Sequence, residues 1–188
     1  MTAPRWHDAV PDRTNDAGIK RTRRHRALTA VFKRVTRGRS YQFMRVISIN
    51  KRLFRPFLAY NSRLMPFGTL DKRHSEAVII RTAAVCGSRY EWTQHRALGR
   101  RAGLTGEQIE LITNDSQNEQ LGDELLLLLR AAGELLDDRV LSEATWDALR
   151  ERFEPAQILE LVMLVGNYAM LAGALNTFGV PLELAWRD

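Results

Sequence analysis

From Tyr41 to the end, apolar side chains recur every three to four positions, and no stretch alternates at period two for long enough to make a strand. Phe43, Met44 and Ile47, then Leu53, Phe54, Phe57, Leu58 and Leu64, follow helical spacing, with Asn50 and Pro56 as interruptions. Pro66, Gly68 and Thr69 mark a turn. Helices are predicted over about 71–86 and 89–102, the second closed by Gly103. Thr105-x-x-Gln108 is a capping box for a short helix to about 113. Leu121 to Leu136 carries a five-leucine run at 125–129 that requires burial on several sides. Ser142 caps the next helix, and Pro155 opens a last long one to about Phe178. The expected fold is all-α, a compact bundle of about seven helices joined by short loops.

The most apolar segment, Ile158 to Leu175, contains Glu160 and Asn167 as well as Gly166 and Gly173. A membrane span needs about twenty apolar residues with almost no charge. The small residues suit close helix packing, so the segment reads as a buried helix of the bundle, and no membrane association is expected.

Charge divides the chain into two parts. Residues 1–39 hold 11 Lys+Arg against 3 Asp, a net +8, whereas the remaining 149 hold 17 Lys+Arg against 19 Asp+Glu, a net −2. The first part, with its Lys20–Arg26 basic cluster, reads as a flexible arm capable of weak polyanion contact. A short amphipathic turn is expected at Leu28, Val31, Phe32 and Val35. Residues 40–188 form the helical domain. The single cysteine, Cys86, excludes an intrachain disulfide, and the start of the sequence shows no secretory h-region. Both features point to the cytoplasm.

The chemistry concentrates between Leu70 and Leu104. Glu91 and His95, four apart, share one helix face, and Glu76 stands one helix earlier at the edge of an apolar run. Two acids and an imidazole at a helix junction are suited to proton transfer on a small molecule. The bland reading of Glu91 is a Ser88-x-x-Glu91 capping box, that of Glu76 an ion pair with Arg73, and that of Tyr90 and Trp92 core packing. Tyr90 also has a hydroxyl to offer a substrate oxygen. No ligand set points to a metal, and no glycine-rich loop points to a nucleotide cofactor.

Three runs carry a family resemblance: Leu70-x-x-Arg73-x-x-Glu76, Tyr90-Glu91-Trp92-x-x-His95 and Ala102-Gly103-Leu104-Thr105. With Leu141-Ser142-x-x-Thr145-Trp146 and Ala174 to Val180, the chain resembles the carboxymuconolactone decarboxylase family, with its alkylhydroperoxidase D-like helical fold, over roughly residues 40–185. The resemblance implies Glu76, His95 and Glu91 as catalytic residues and Tyr90, Trp92 and Ser88 as substrate-binding ones. It further implies lyase chemistry, decarboxylation of a small organic acid, without cofactor or metal. In the peroxidase branch a Glu precedes Cys-x-x-Cys-x-x-x-His by twelve residues. Here Glu76 and His95 keep that register, but Ser88 and Glu91 stand at the two cysteine positions and Cys86 is two residues out of step.

The alternatives are a thiol peroxidase working through Cys86 alone, which requires an accessible thiol of depressed pKa, and a non-catalytic binding module. The resemblance also implies self-association as trimers or hexamers. That agrees with a surface expected to expose Phe54, Phe57 and Trp146.

Overall fold

The computed structural model describes residues 4–14, 42–114 and 116–182. The described residues hold eight α-helices: α1 Phe43–Ile47, α2 Lys51–Leu64, α3 Lys72–Val85, α4 Arg89–Arg101, α5 Gly106–Asn114, α6 Asp123–Asp137, α7 Glu143–Arg150 and α8 Pro155–Thr177. One 3-10 turn, Glu119–Leu121, precedes α6, and there is no strand among them. The all-α expectation holds.

Local chemistry explains most helix ends. Thr105 and Gln108 close their box reciprocally, Thr105 N donating to Gln108 Oε1 at 3.1 Å and Gln108 N to Thr105 Oγ1 at 3.0 Å. Ser142 Oγ accepts from Thr145 N. Gly103, at φ +97°, ends α4 with Leu104 N bonded back to Gly99 O. One expectation fails. Pro56 does not interrupt its segment, because α2 runs through it on an exposed face, started by Asn50, whose side chain accepts from the Arg52 and Leu53 amides.

α3 is the axis of the bundle, packed against α4, α5, α6 and α8. Its residues from Ser75 to Ala84 are all buried, so neither face of the helix is left for solvent. On one side Val78 and Ile79 join Leu128, Leu161, Leu164 and Tyr168. On the other Ala77 and Ile80 meet Ile109, Ile112, Leu125 and Leu129. The leucine run of α6 is thus buried as expected, with only Leu126 partly open. α8 has the length and hydropathy of a membrane span, but half of that window is buried inside the bundle. Its outer stripe, Leu159, Met163, Gly166, Met170, Gly173 and Thr177, is exposed at alternating spacings of four and three. Trp146 is exposed as expected, whereas Phe54 and Phe57 are only partly so; Phe57 packs against the cluster of Val46, Tyr90, Leu171 and Leu175.

The arm needs a correction over its first residues. Residues 4–14 form a strap seated on the helical domain, not a free extension. His7 N donates to Gly87 O at 3.2 Å and Arg13 N to Phe178 O at 2.9 Å. Trp6 meets Trp92 at a tilt, with ring centroids 5.4 Å apart, Asp8 pairs with Arg89 at 2.6 Å, and Thr14 is buried. The ring of Trp6, two backbone hydrogen bonds and the Asp8–Arg89 pair are partners that composition alone does not reveal. The Lys20–Arg26 cluster and the Leu28–Val35 turn lie outside the described residues.

Candidate functional site

α3 and α4 are antiparallel neighbours joined by the short connection Cys86-Gly87-Ser88. Gly87 takes φ +63°, and Ser88 N returns to Ala83 O at 2.8 Å. Where the pair crosses, Gly99 of α4 faces α3 without a side chain; a Cβ there would lie 3.0 Å from Ile80 Cδ1 and 3.7 Å from Glu76 Cβ. That close approach brings Glu76, one turn before Ile80, to His95, one turn before Gly99. Glu76 Oε2 and His95 Nδ1 stand 2.8 Å apart. Glu76 is 3% exposed and His95 9%. Nδ1 directed at a carboxylate leaves Nε2 as the nitrogen able to take or give a proton, the arrangement of a carboxylate-oriented imidazole base.

Glu91 lies one turn before His95 and is 3% exposed, with neither carboxyl oxygen hydrogen-bonded. The capping-box reading of Glu91 is therefore not what the structure shows. Ser88 is wholly buried, caps nothing with its side chain, and its Oγ also lacks a partner. Burial pushes the Glu91 carboxyl up to about 8, and the Ser88 hydroxyl beside it pulls it partly back. Glu91 is thus a neutral acid at neutral pH.

Sequence reasoning missed Tyr168. This α8 residue places its ring edge-to-face on His95 at 5.0 Å between centroids. Burial first, then the charges of Glu76 and Glu91, push its phenol well above 10. The available signal was a hydroxyl-bearing aromatic inside the apolar run Ile158–Leu175, where Glu160 and Asn167 drew notice instead.

Tyr90 and Trp92 are not brought to this cluster. The Tyr90 hydroxyl accepts from Phe43 N at 3.2 Å, tying α1 to α4. Trp92 Nε1 donates to Thr113 Oγ1 at 2.9 Å, and the ring is covered by the Arg96 guanidinium at 5.0 Å. Both side chains hold helices and strap together. Arg73 does not pair with Glu76, whose partner is His95. A cavity of about 520 Å³ between the strap and residues 179–182 is lined by Asp8, Asp12, Arg89, Tyr90 and Asn176; Glu76, Glu91 and His95 do not line it.

The thiol reading meets a contrary finding. Cys86 is half-buried at the end of α3, and burial, then the charge of Glu91, push it up to about 11, opposite to a reactive thiolate. Among the described residues, no three His, Cys, Asp or Glu side chains gather as a metal-holding group.

A helical bundle whose central helix pair carries a buried carboxylate–imidazole couple defines the class. Residues 51–133 match the model of the Carboxymuconolactone decarboxylase family. Its fold is shared by solved structures of low identity. A peroxidase-related protein from Silicibacter sp. TM1040 matches at TM-score 0.81 and 15% identity, covering 100% of this chain and 98% of that one. The alkylhydroperoxidase AhpD core of a peroxidase-related protein from Ralstonia eutropha JMP134 matches at 0.76 and 18%, covering 99% and 93%. The debrominase Bmp8, solved as a cysteine-to-alanine variant in complex with 2,3,4-tribromopyrrole, matches at 0.65 and 14%, covering 100% and 94%. No curated protein matches the sequence. The likenesses establish an alkylhydroperoxidase D-like fold.

Proposed function

We propose that the chain is a small-molecule enzyme that transfers protons on a small organic acid, decarboxylation being the favoured reaction. The Glu76–His95 contact at 2.8 Å in a buried helix crossing carries the reading. Loss of CO2 leaves the electron pair of the broken C–C bond on the neighbouring carbon, delocalised as an enolate, and that carbon must then take one proton. An imidazolium at His95, held by the Glu76 carboxylate, delivers it through Nε2, and the pair recovers the proton from solvent. Tyr168 fixes the plane of the imidazole by its edge-to-face contact. The match of residues 51–133 to the Carboxymuconolactone decarboxylase family model supports this class of chemistry.

The test is a panel of 3-oxo acids and unsaturated lactone acids incubated in D2O, read as CO2 release and as deuterium at the product carbon. Wild type should turn over at least one member. Glu76→Gln should lower turnover by about a hundredfold, and His95→Ala by at least as much, the usual scale of a lost acid–base group. Both should keep the helical circular dichroism. Variants as active as wild type would refute the assignment.

A further inference from the structure

Acidic residues are absent from one long part of the chain. Residues 17–70 hold 14 Lys+Arg and no Asp or Glu, whereas the other 134 hold 14 Lys+Arg against 22 Asp+Glu. Helix α2 is the longest described element within that part. Lys51, Arg52, Arg55 and Arg63 are exposed on it, and among the described residues no carboxylate pairs with any of them. Arg52 and Arg63, eleven apart, stand over one another after three turns, with Arg55 beside them. The inward side of α2 holds to the bundle through half-buried Phe54, Phe57 and Leu58 and through Asn61, whose Oδ1 accepts from Asn167 Nδ2 at 2.9 Å. Only Leu64 of its fourteen residues is buried.

Beside the arginines, the bundle leaves apolar groups bare. Leu53 is 61% exposed and Tyr60 38%, seven apart and so on one line of the helix. Seven further on, past the end of α2, Phe67 is 73% exposed, more than any other large hydrophobic among the described residues. The backbone around Phe67 is fixed. Phe67 N donates to Ser62 O at 3.1 Å, and Glu160 accepts from the Thr69 and Leu70 amides at 2.7 and 3.1 Å. We infer that α2 and the turn at Phe67 form a docking surface for an anionic phospholipid bilayer. The arginines meet the headgroup phosphates, and Leu53, Tyr60 and Phe67 enter the acyl boundary.

Charge selects the sign of the partner. An anionic bilayer attracts each Lys or Arg brought near its surface, and no acid on α2 opposes that attraction. The nine cations at 20–39 continue the same sign along the chain. The bare apolar side chains select lipid among anionic partners. Leu53 and Phe67 gain by leaving water for hydrocarbon, and the Tyr60 ring suits the headgroup boundary. Nucleic acid would use the cations and stack on the two rings, but it offers Leu53 nothing. A basic helix edged with apolar and aromatic side chains is the form of an interfacial anchor. Such surface attachment is distinct from the span that Glu160 and Asn167 argue against in α8, and it asks nothing of Glu76 or His95.

The experiment mixes the full chain with vesicles of phosphatidylcholine, either alone or with phosphatidylserine as about a third of the lipid, and reads the bound fraction by co-sedimentation. Binding should appear only with phosphatidylserine and fall roughly tenfold or more between about 50 and 500 mM salt, as screening shortens the reach of charge. The triple variant Arg52→Gln, Arg55→Gln, Arg63→Gln should bind roughly a hundredfold more weakly, at about fivefold for each lost cation. The double variant Leu53→Ser, Phe67→Ser should lose roughly tenfold or more even at low salt, with its affinity for a single-stranded oligonucleotide unchanged. Both should keep the wild-type circular dichroism and, without lipid, the wild-type sedimentation coefficient. No vesicle binding, equal binding to the two vesicle types, or a loss of oligonucleotide affinity in place of vesicle affinity would overturn the proposal. Vesicle binding untouched by either set of substitutions would overturn it too, leaving the attraction to residues 20–39. A changed sedimentation coefficient without lipid would overturn it by assigning the face to a second copy of the chain.

Discussion

Glu76 and His95, nineteen residues apart and on different helices, meet at 2.8 Å because Gly99 lets α3 and α4 close on each other. The glycine carries no chemistry, yet it sets the distance on which the chemistry depends. Gly99→Ala would place a methyl 3.0 Å from Ile80 Cδ1 and from Leu104 Cδ1, so those side-chain ends must give by a few tenths of an ångström. The expected loss is about 1 kcal/mol of stability, as for mild overpacking, with a larger proportional loss of turnover than of folded protein. Chemical denaturation and the D2O assay on one preparation give both values.

Glu91 makes the fold sensitive to alkali. Unfolded, its carboxyl ionises near 4.5; folded, it holds its proton to about 8. The folded value is the raised one, so the contribution is complete below about 4.5 and is lost as pH rises towards 8. Each unit in that window favours unfolding by about 1.4 kcal/mol, roughly 4–5 kcal/mol in all as an upper figure. Glu91→Gln removes the dependence. Melting temperatures of the two proteins should coincide near pH 4.5 and diverge, with the variant higher, by pH 8.

Cys86 should be a slow thiol. Its rise from 9.0 to about 11 leaves roughly a hundredfold less thiolate at neutral pH than an unperturbed cysteine has. Alkylation by iodoacetamide should be slower by a similar factor, and Cys86→Ser should leave turnover intact. Rapid, stoichiometric labelling accompanied by Cys86-dependent peroxide removal would revive the redox reading.

Removing residues 1–14 should lower stability. Residues 4–14 contact the helical domain, with Trp6 against Trp92 and Asp8 on Arg89. Loss of a half-buried tryptophan contact is on the order of 1–2 kcal/mol, and Trp6→Ala should reproduce most of the deletion's effect in a denaturation series.

Self-association is expected along the outer face of α8. The exposed Leu159, Met163 and Met170 alternate with Gly166 and Gly173, where a Cβ would meet nothing within 4 Å. Gly166→Leu is therefore harmless to the fold of one chain but obstructs close approach of a second. Sedimentation should show the wild type larger than 21.5 kDa and the variant shifted towards the monomer. A monomeric wild type at micromolar concentration would remove the expectation.

Helices were legible wherever periodicity and end signals agreed, as at Thr105–Gln108 and at Pro155. That Glu91 and His95 share one helix face followed from spacing alone. What the sequence hid is what depends on distant parts of the chain. Ser88-x-x-Glu91 has the letters of a cap, but both side chains are buried between helices instead of turning back on their own backbone. Tyr168 reaches His95 from α8, seventy-three positions away, and no local pattern signals such a contact. The strap misleads for a related reason. Its composition is that of a solvated tail, while its binding energy resides in partners at Gly87, Trp92 and Phe178.

Gly87 and Gly179 lie directly beneath the strap. A Cβ on Gly87 would fall 2.3 Å from Arg5 O, and one on Gly179 2.2 Å from Pro11 O, with both residues at positive φ. The two bare backbone sites thus act as a template for the strap's path, and one methyl group at either would force the strap backbone to shift. The path of the N-terminus is in this way encoded remotely, in the helix ends it lies upon, so an exchange in a part of the chain it never shares would displace the strap.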